Sequence, residues 1–236
     1  MTRIDKYLAD LGMTSRRGAK EYLHRNMILV DGERVIKAET KVDEQKSVVQ
    51  FNGKELTYSK FTYLLMNKPA GVVSAKTDKK DKTVIDLLEG RYKKMDLFPV
   101  GRLDKDTVGL LLLTNDGQFA HEMLAPKKHV PKRYYAELDQ AIDSADIEAF
   151  RVGITIDGDC LCKPALLEAL ENGKQVHVEI SEGKFHQVKK MFAALGKYVL
   201  YLKRVKFGNI ALDENLAQGE YRELSTEEKN ALFHNR

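Results

Sequence analysis

The sequence predicts an α+β protein: a small N-terminal α/β domain, then a larger domain with a largely antiparallel mixed sheet flanked by short helices. Three observations carry this. Short apolar segments of strand period outnumber the helical ones, and the two kinds do not follow the regular βα alternation of a parallel-sheet protein. The 236 residues also exceed one ordinary domain of roughly 100–200, which allows two unequal ones. A hydrophobic content of 43% with 31% charged residues belongs to a chain that buries a core. The net charge of +4 points only weakly to an acidic partner, so the distribution of the cations is more informative than their sum.

Ile4, Leu8 and Leu11 recur at helical spacing, and Gly12 is the kind of residue that ends a helix. Ser15 is a candidate N-cap for a second helix, with Ala19, Tyr22 and Leu23 on one side and Arg16, Arg17 and Lys20 around the other. After the apolar residues 27–30, Asp31-Gly32 fits a type I′ hairpin turn, whose two central residues both need positive φ. Residues 48–51 then read as a strand. The boundary of the first domain is placed at residue 58, with residues 56–60 as a hinge, and the second domain spans 59–236.

In the second domain, residues 61–66 read as a buried strand that Asn67-Lys68-Pro69-Ala70-Gly71 breaks. Thr83 and Asp86 form a capping-box pattern for a helix through Leu88. Residues 110–113 are an apolar run closed by the turn signal Asn115-Asp116-Gly117, as in a buried strand. Val176, Val178 and Ile180 alternate with polar neighbours in a half-exposed strand. Val188, Met191, Phe192 and Leu195 keep the helical period until Gly196, residues 198–207 read as extended, and Ser225 with Glu228 caps a last helix.

Cys160 and Cys162 are too close for a disulfide framework, and C-x-C without a further Cys/His pair is no zinc pattern, so no metal is expected. The N-terminus lacks the apolar core of a signal peptide, and no run approaches the roughly 18 apolar residues of a membrane span. A cytoplasmic, monomeric protein without membrane contact is the expectation.

Arg3-Ile4-Asp5-Lys6-Tyr7-Leu8-Ala9, Ser15-Arg16-Arg17-Gly18-Ala19 and Ile28-Leu29-Val30-Asp31-Gly32 resemble the S4 RNA-binding domain, with Asn26 where that family usually has Gly. Asn67 to Ser74 is similar to the first motif of the RNA pseudouridine synthases of the RsuA type. Gly101-Arg102-Leu103-Asp104-Lys105-Asp106-Thr107, running on to Gly117, is similar to the second, and Lys132-Arg133-Tyr134 and Glu182 to Met191 to the remaining two. Order and spacing agree along essentially the whole chain.

The resemblance implies isomerisation of uridine to pseudouridine in structured RNA. The N1–C1′ bond breaks, the base turns and rejoins through C5, and neither redox change nor cofactor is required. Asp104 is implied as the catalytic carboxylate, with three routes open: attack on C1′, addition to C6, or removal of the 2′ proton. Lys189 is implied as its cationic partner, and Tyr134 offers a flat face for the uracil. Arg102, Leu103, Lys68 and Gln187 are supporting residues, Arg102 as a filler of the vacated stack or a phosphate clamp, Lys68 as a shaper of a nearby loop. His186 is read as capping the following helix or binding RNA. Without the resemblance, the Arg102-Leu103-Asp104 triplet reads as a surface ion pair.

Between Ser181 and Phe207 there are seven Lys or Arg residues against one acid, Glu182. Candidate RNA contacts are Lys184, His186 and Lys190 here, and Arg3, Lys6, Ser15, Arg16, Arg17 and Lys20 in the first domain; their electrostatic contribution weakens with salt. The expected partner is ribosomal RNA or a small-subunit assembly intermediate. A 16S target is the first reading, because the large-subunit paralogues tend to have Asn-Arg in place of Phe185-His186. A 23S enzyme of the same family is the alternative, and a non-catalytic S4-type ribosome-assembly factor is a reading from another class.

Overall fold

The computed structural model describes residues 1–233. Contacts divide the chain into two compact units. One comprises Met1–Thr62, Ile85–Phe98 and Thr114–Asp116; the other takes the remainder.

In the first unit, β1 (Thr2–Arg3) leads into α1 (Ile4–Asp10), followed by α2 (Ala19–Arg25), β2 (Ile28–Val30), β3 (Glu33–Arg34), β4 (Lys41–Val42), β5 (Val49–Phe51) and β6 (Lys54–Glu55). The sheet order is β3-β2-β5-β6, with β1 and β4 paired separately. Ile4, Tyr7, Leu8, Leu23, Ile28, Val42 and Val49 bury one core. Asp31 and Gly32 both take positive φ, 52° and 87°, as the hairpin requires. Ser15 does not cap α2. Its Oγ accepts from the amide of Gly18 at 3.1 Å, closing a turn one step earlier, and Gly18 occupies the cap. The expected hinge is anchored as far as residue 58, because Tyr58 stacks on Tyr7 at 4.5 Å and donates to Asp10 at 2.7 Å.

The second sheet is built from β7 (Tyr63–Lys68), β8 (Phe98–Pro99), β9 (Val108–Thr114), β10 (Lys132–Leu138), β13 (Leu166–Ala169), β14 (Gln175–Ile180), β15 (Val199–Phe207), β16 (Ile210–Ala211) and β17 (Tyr221–Glu223), while β11 (Thr155–Ile156) and β12 (Cys160–Leu161) pair apart. Its main path is β13-β14-β10-β15-β9-β7-β17. β10 runs antiparallel to both β14 and β15, whereas β15 and β9 are parallel. Every residue of β9 is buried, which is why its sequence is an unbroken apolar run rather than an alternating one. The helices are α3 (Gly117–Leu124), α4 (Ser144–Val152), α5 (Gln187–Ala194) and α6 (Thr226–Phe233). Among the described residues no helix is long and apolar enough to cross a membrane.

Three local expectations are corrected. β7 continues through Lys68 instead of breaking before it. Thr83 opens no helix to Leu88: it bridges Val73, and only the short 3₁₀ turn Ile85–Leu87 follows. Gly117, read as part of a turn, is the first residue of α3.

Candidate active site

Asp104 lies on the loop 101–107 leading into β9, and the backbone of that loop is fixed from beneath. Ser74 Oγ accepts from the Leu103 amide at 3.0 Å and donates to the Leu103 carbonyl at 2.9 Å. Lys68, fully buried, donates from Nζ to the carbonyls of Pro69 at 3.0 Å, Lys105 at 3.3 Å and Thr107 at 2.8 Å. Burial pushes the Lys68 ammonium down to about 8, against the pull of Asp106 and Asp104. A cation replaces water as the donor to three inward-facing carbonyls, so the loop has one well-defined shape. Lys68 thus acts from inside a strand, beneath the loop, rather than from a loop of its own.

The partners of Asp104 come from the start of α5. His186 Nε2 is 3.4 Å from Oδ1 and Lys189 Nζ is 3.6 Å from Oδ2. Lys189 lies closer to Asp106, at 2.6 Å, and this hydrogen bond holds the Asp106 carboxyl below the usual carboxylate range. The His186 side chain caps nothing; its backbone occupies the N-cap with a left-handed φ of 52°. Gln187 is buried, accepting from the Lys184 amide at 2.9 Å and donating to Glu182 at 2.8 Å, which ties residues 182–187 into a compact loop.

Tyr134 is buried on β10, directly after an irregularity in the β10–β15 ladder between Arg133 and Tyr134, and it pairs with Arg204. Such bulges re-aim a side chain. Arg204 is fully enclosed: its Nε donates to the Leu110 carbonyl at 2.8 Å, its guanidinium lies 4.9 Å from the Phe207 ring centroid, and Nη2 has no hydrogen-bond partner. Burial lowers its pKa, with Tyr134 opposing. β9 approaches closely here, since a Cβ on Gly109 would lie 2.4 Å from the Arg204 carbonyl oxygen, and its φ of +99° suits glycine. On the Phe207 ring's other cationic neighbour, Lys132, burial and then Arg204 push the pKa down to about 8.

These groups line one cavity of about 940 Å³, whose walls include Arg102, Leu103, Asp104, Tyr134, Lys184, His186, Gln187, Lys189 and Arg204. Lys190 does not join them and instead pairs with Asp157 at 2.6 Å. The remaining candidates belong to the first unit. There Arg3 and Arg16 pair with Asp5 at 2.9 and 3.7 Å, Lys6 with Asp10 at 2.8 Å, and Ser15, Arg17 and Lys20 are exposed.

Two site residues escaped the sequence reading. Asp106 stands two positions after Asp104, and the loop turns both carboxylates toward Lys189. Arg204 sits two after the buried Leu202, so the strand alternation itself turns it inward.

The mixed nine-strand sheet with short helices matches the fold of a pseudouridylate synthase. A crystal structure of a pseudouridylate synthase superposes with a TM-score of 0.69 at 35% identity, covering 98% of this chain and all of that one. The family model for RNA pseudouridylate synthase matches residues 62–194. An uncharacterized RNA pseudouridine synthase of Bacillus subtilis is 45% identical over 98% of both chains. The ribosomal small subunit pseudouridine synthase A of Vibrio cholerae is 41% identical over 98% of this chain and 99% of its own, and that of Escherichia coli 39% over 96% and 97%. The chain belongs to the RNA pseudouridine synthase family, in its RsuA branch.

Proposed function

We propose that this enzyme converts a uridine of 16S ribosomal RNA to pseudouridine, with Asp104 as the catalytic carboxylate. One observation carries the catalytic part of this reading: Asp104 stands on a braced loop in a cavity with Lys189 3.6 Å away and Tyr134 in the same wall. The small-subunit target is supported by full-length similarity to the small-subunit enzymes of Vibrio cholerae and Escherichia coli. The target nucleotide leaves its stack, since its reacting atoms are shielded within structured RNA. Tyr134 receives the uracil against its ring, Lys189 and His186 orient the carboxylate, and Arg102 fills the gap or holds a phosphate. The fixed loop brings no reorganisation to the reacting step.

Residues 1–58 are assigned as an S4-type RNA-binding domain and 59–236 as the catalytic domain. Arg16, Arg17 and Lys20 of the first, with Lys184 of the second, supply phosphate contacts that strengthen binding without choosing the sequence. Pseudouridine mapping across both ribosomal RNAs, from cells with and without this protein, tests the reading. One 16S position is expected to lose its modification. A lost position in 23S RNA, or none in either, refutes it.

A further inference from the structure

We propose that Phe185 and His186 form a stacking shelf at the cavity rim for an unpaired RNA base beside the target uridine. This rests on the functional reading above and adds to it the group that recognises the target's neighbour. Phe185 is 66% exposed, so its ring is open to a partner. Its ring stacks on His186 with centroids 3.8 Å apart and planes 20° from parallel, so the two form a short aromatic stack that an RNA base can extend. Both residues line the cavity that holds Asp104, and His186 reaches Asp104 itself at 3.4 Å, so a base on the shelf lies within a nucleotide's reach of a base in the cavity.

The shelf is held in place before any RNA arrives. Gln187 ties its loop at both ends, and His186 keeps a left-handed φ of 52°, a conformation that residues other than glycine adopt at a cost. Strain of this kind persists where the surroundings hold a residue in place for a task. A phosphate of the stacked nucleotide would reach Lys190, 5.0 Å from the Phe185 ring centroid, by displacing Asp157, its partner at 2.6 Å. A flat ring accepts any base, and the neighbouring cation favours nucleic acid over an apolar protein surface.

The test uses the full chain and a single-stranded oligouridylate carrying one 2-aminopurine beside its central uridine, read by fluorescence and by binding. The wild type is expected to quench the 2-aminopurine emission. Phe185→Ala should abolish the quench and weaken binding about tenfold, while Phe185→Trp restores both. Equal quenching and affinity for wild type and Phe185→Ala overturn the shelf. So does an alanine defect that tryptophan fails to restore while thermal unfolding is unchanged. The assay needs no turnover, so loss of the shelf is distinguishable from loss of the catalytic reading, which the pseudouridine map decides.

Discussion

Lys189 serves two carboxylates at once, binding Asp106 at 2.6 Å and facing Asp104 at 3.6 Å. Asp106 is largely exposed while Asp104 is three-quarters shielded, so the shorter contact is the one that solvent screens more. The outer aspartate holds the ammonium at the edge of the cavity, and the inner one faces the cavity with a second partner in His186.

Replacing the inner carboxylate tests its proposed role directly. Asp104→Asn is expected to lower isomerisation by at least roughly a thousandfold while RNA binding persists, because the amide keeps the shape and loses the charge and basicity. Tritium release from RNA labelled at uridine C5 measures the first and a filter-binding assay the second. Turnover near wild type would remove Asp104 from the chemistry.

The two adjacent lysines should separate. Lys189→Met is expected to slow single-turnover isomerisation more than Lys190→Met, since Lys190 is committed to Asp157. Asp106→Asn should have a smaller effect than Lys189→Met, because the ammonium then retains Asp104. The reverse order for the lysines would overturn the assignment of Lys189 as partner.

Lys68 gives a pH signature with a definite sign. Its pKa falls from 10.5 to about 8 in the folded protein, so between these values the unfolded chain binds the proton more tightly. Lys68 therefore opposes folding fully below about pH 8, and the penalty is relieved as pH rises toward 10.5. The stability of wild type relative to Lys68→Met, from urea unfolding, should be flat below pH 8 and increase above it. A falling difference contradicts the burial of a charged Lys68. The same substitution should reduce turnover, because the Lys105 and Thr107 carbonyls of the loop, with that of Pro69, lose their donor.

Arg204→Met should separate stability from activity. A buried guanidinium without a carboxylate partner among the described residues gives way to apolar volume, so the unfolding midpoint should change little or rise. Turnover should fall ten- to a hundredfold if Arg204 positions Tyr134. Unchanged turnover would leave Arg204 a purely structural residue.

Charge reversal on the first unit should act on capture. Arg17→Glu with Lys20→Glu is expected to weaken binding to ribosomal RNA and flatten its dependence on salt by about one unit of slope per lost contact. Titration at several salt concentrations measures this, and an unaltered slope would remove these two cations from the interface.

Much of this molecule was legible in its sequence because its local signals and its tertiary structure agree. The Asp31-Gly32 turn, the period of α5 and the Ser225–Glu228 capping box are all present. Asp104, Tyr134 and Lys189 are far apart in the chain, and only motif resemblance joined them before the sheet did. What failed were signals that tertiary contacts override. Thr83 has helix-capping chemistry but is taken up by a bridge to Val73, and Gly117 begins α3 although glycine signals a turn. Arg204 entered only the count of seven cations between Ser181 and Phe207, since charge usually marks an exposed position, although its place in the strand alternation pointed inward.

The anchoring of the Asp104 loop by Lys68 bears on how such an enzyme can change its target. The loop is stitched to β7 through buried carbonyls, whereas Phe185 and Lys190 stand on a separate loop and helix at the rim. A rim exchanged for one with different aromatic and basic residues would meet a new RNA over an undisturbed floor. Redesign of specificity in this protein should therefore exchange Phe185 and Lys190 and leave Lys68, Ser74, residues 101–107, Gln187 and Lys189 untouched.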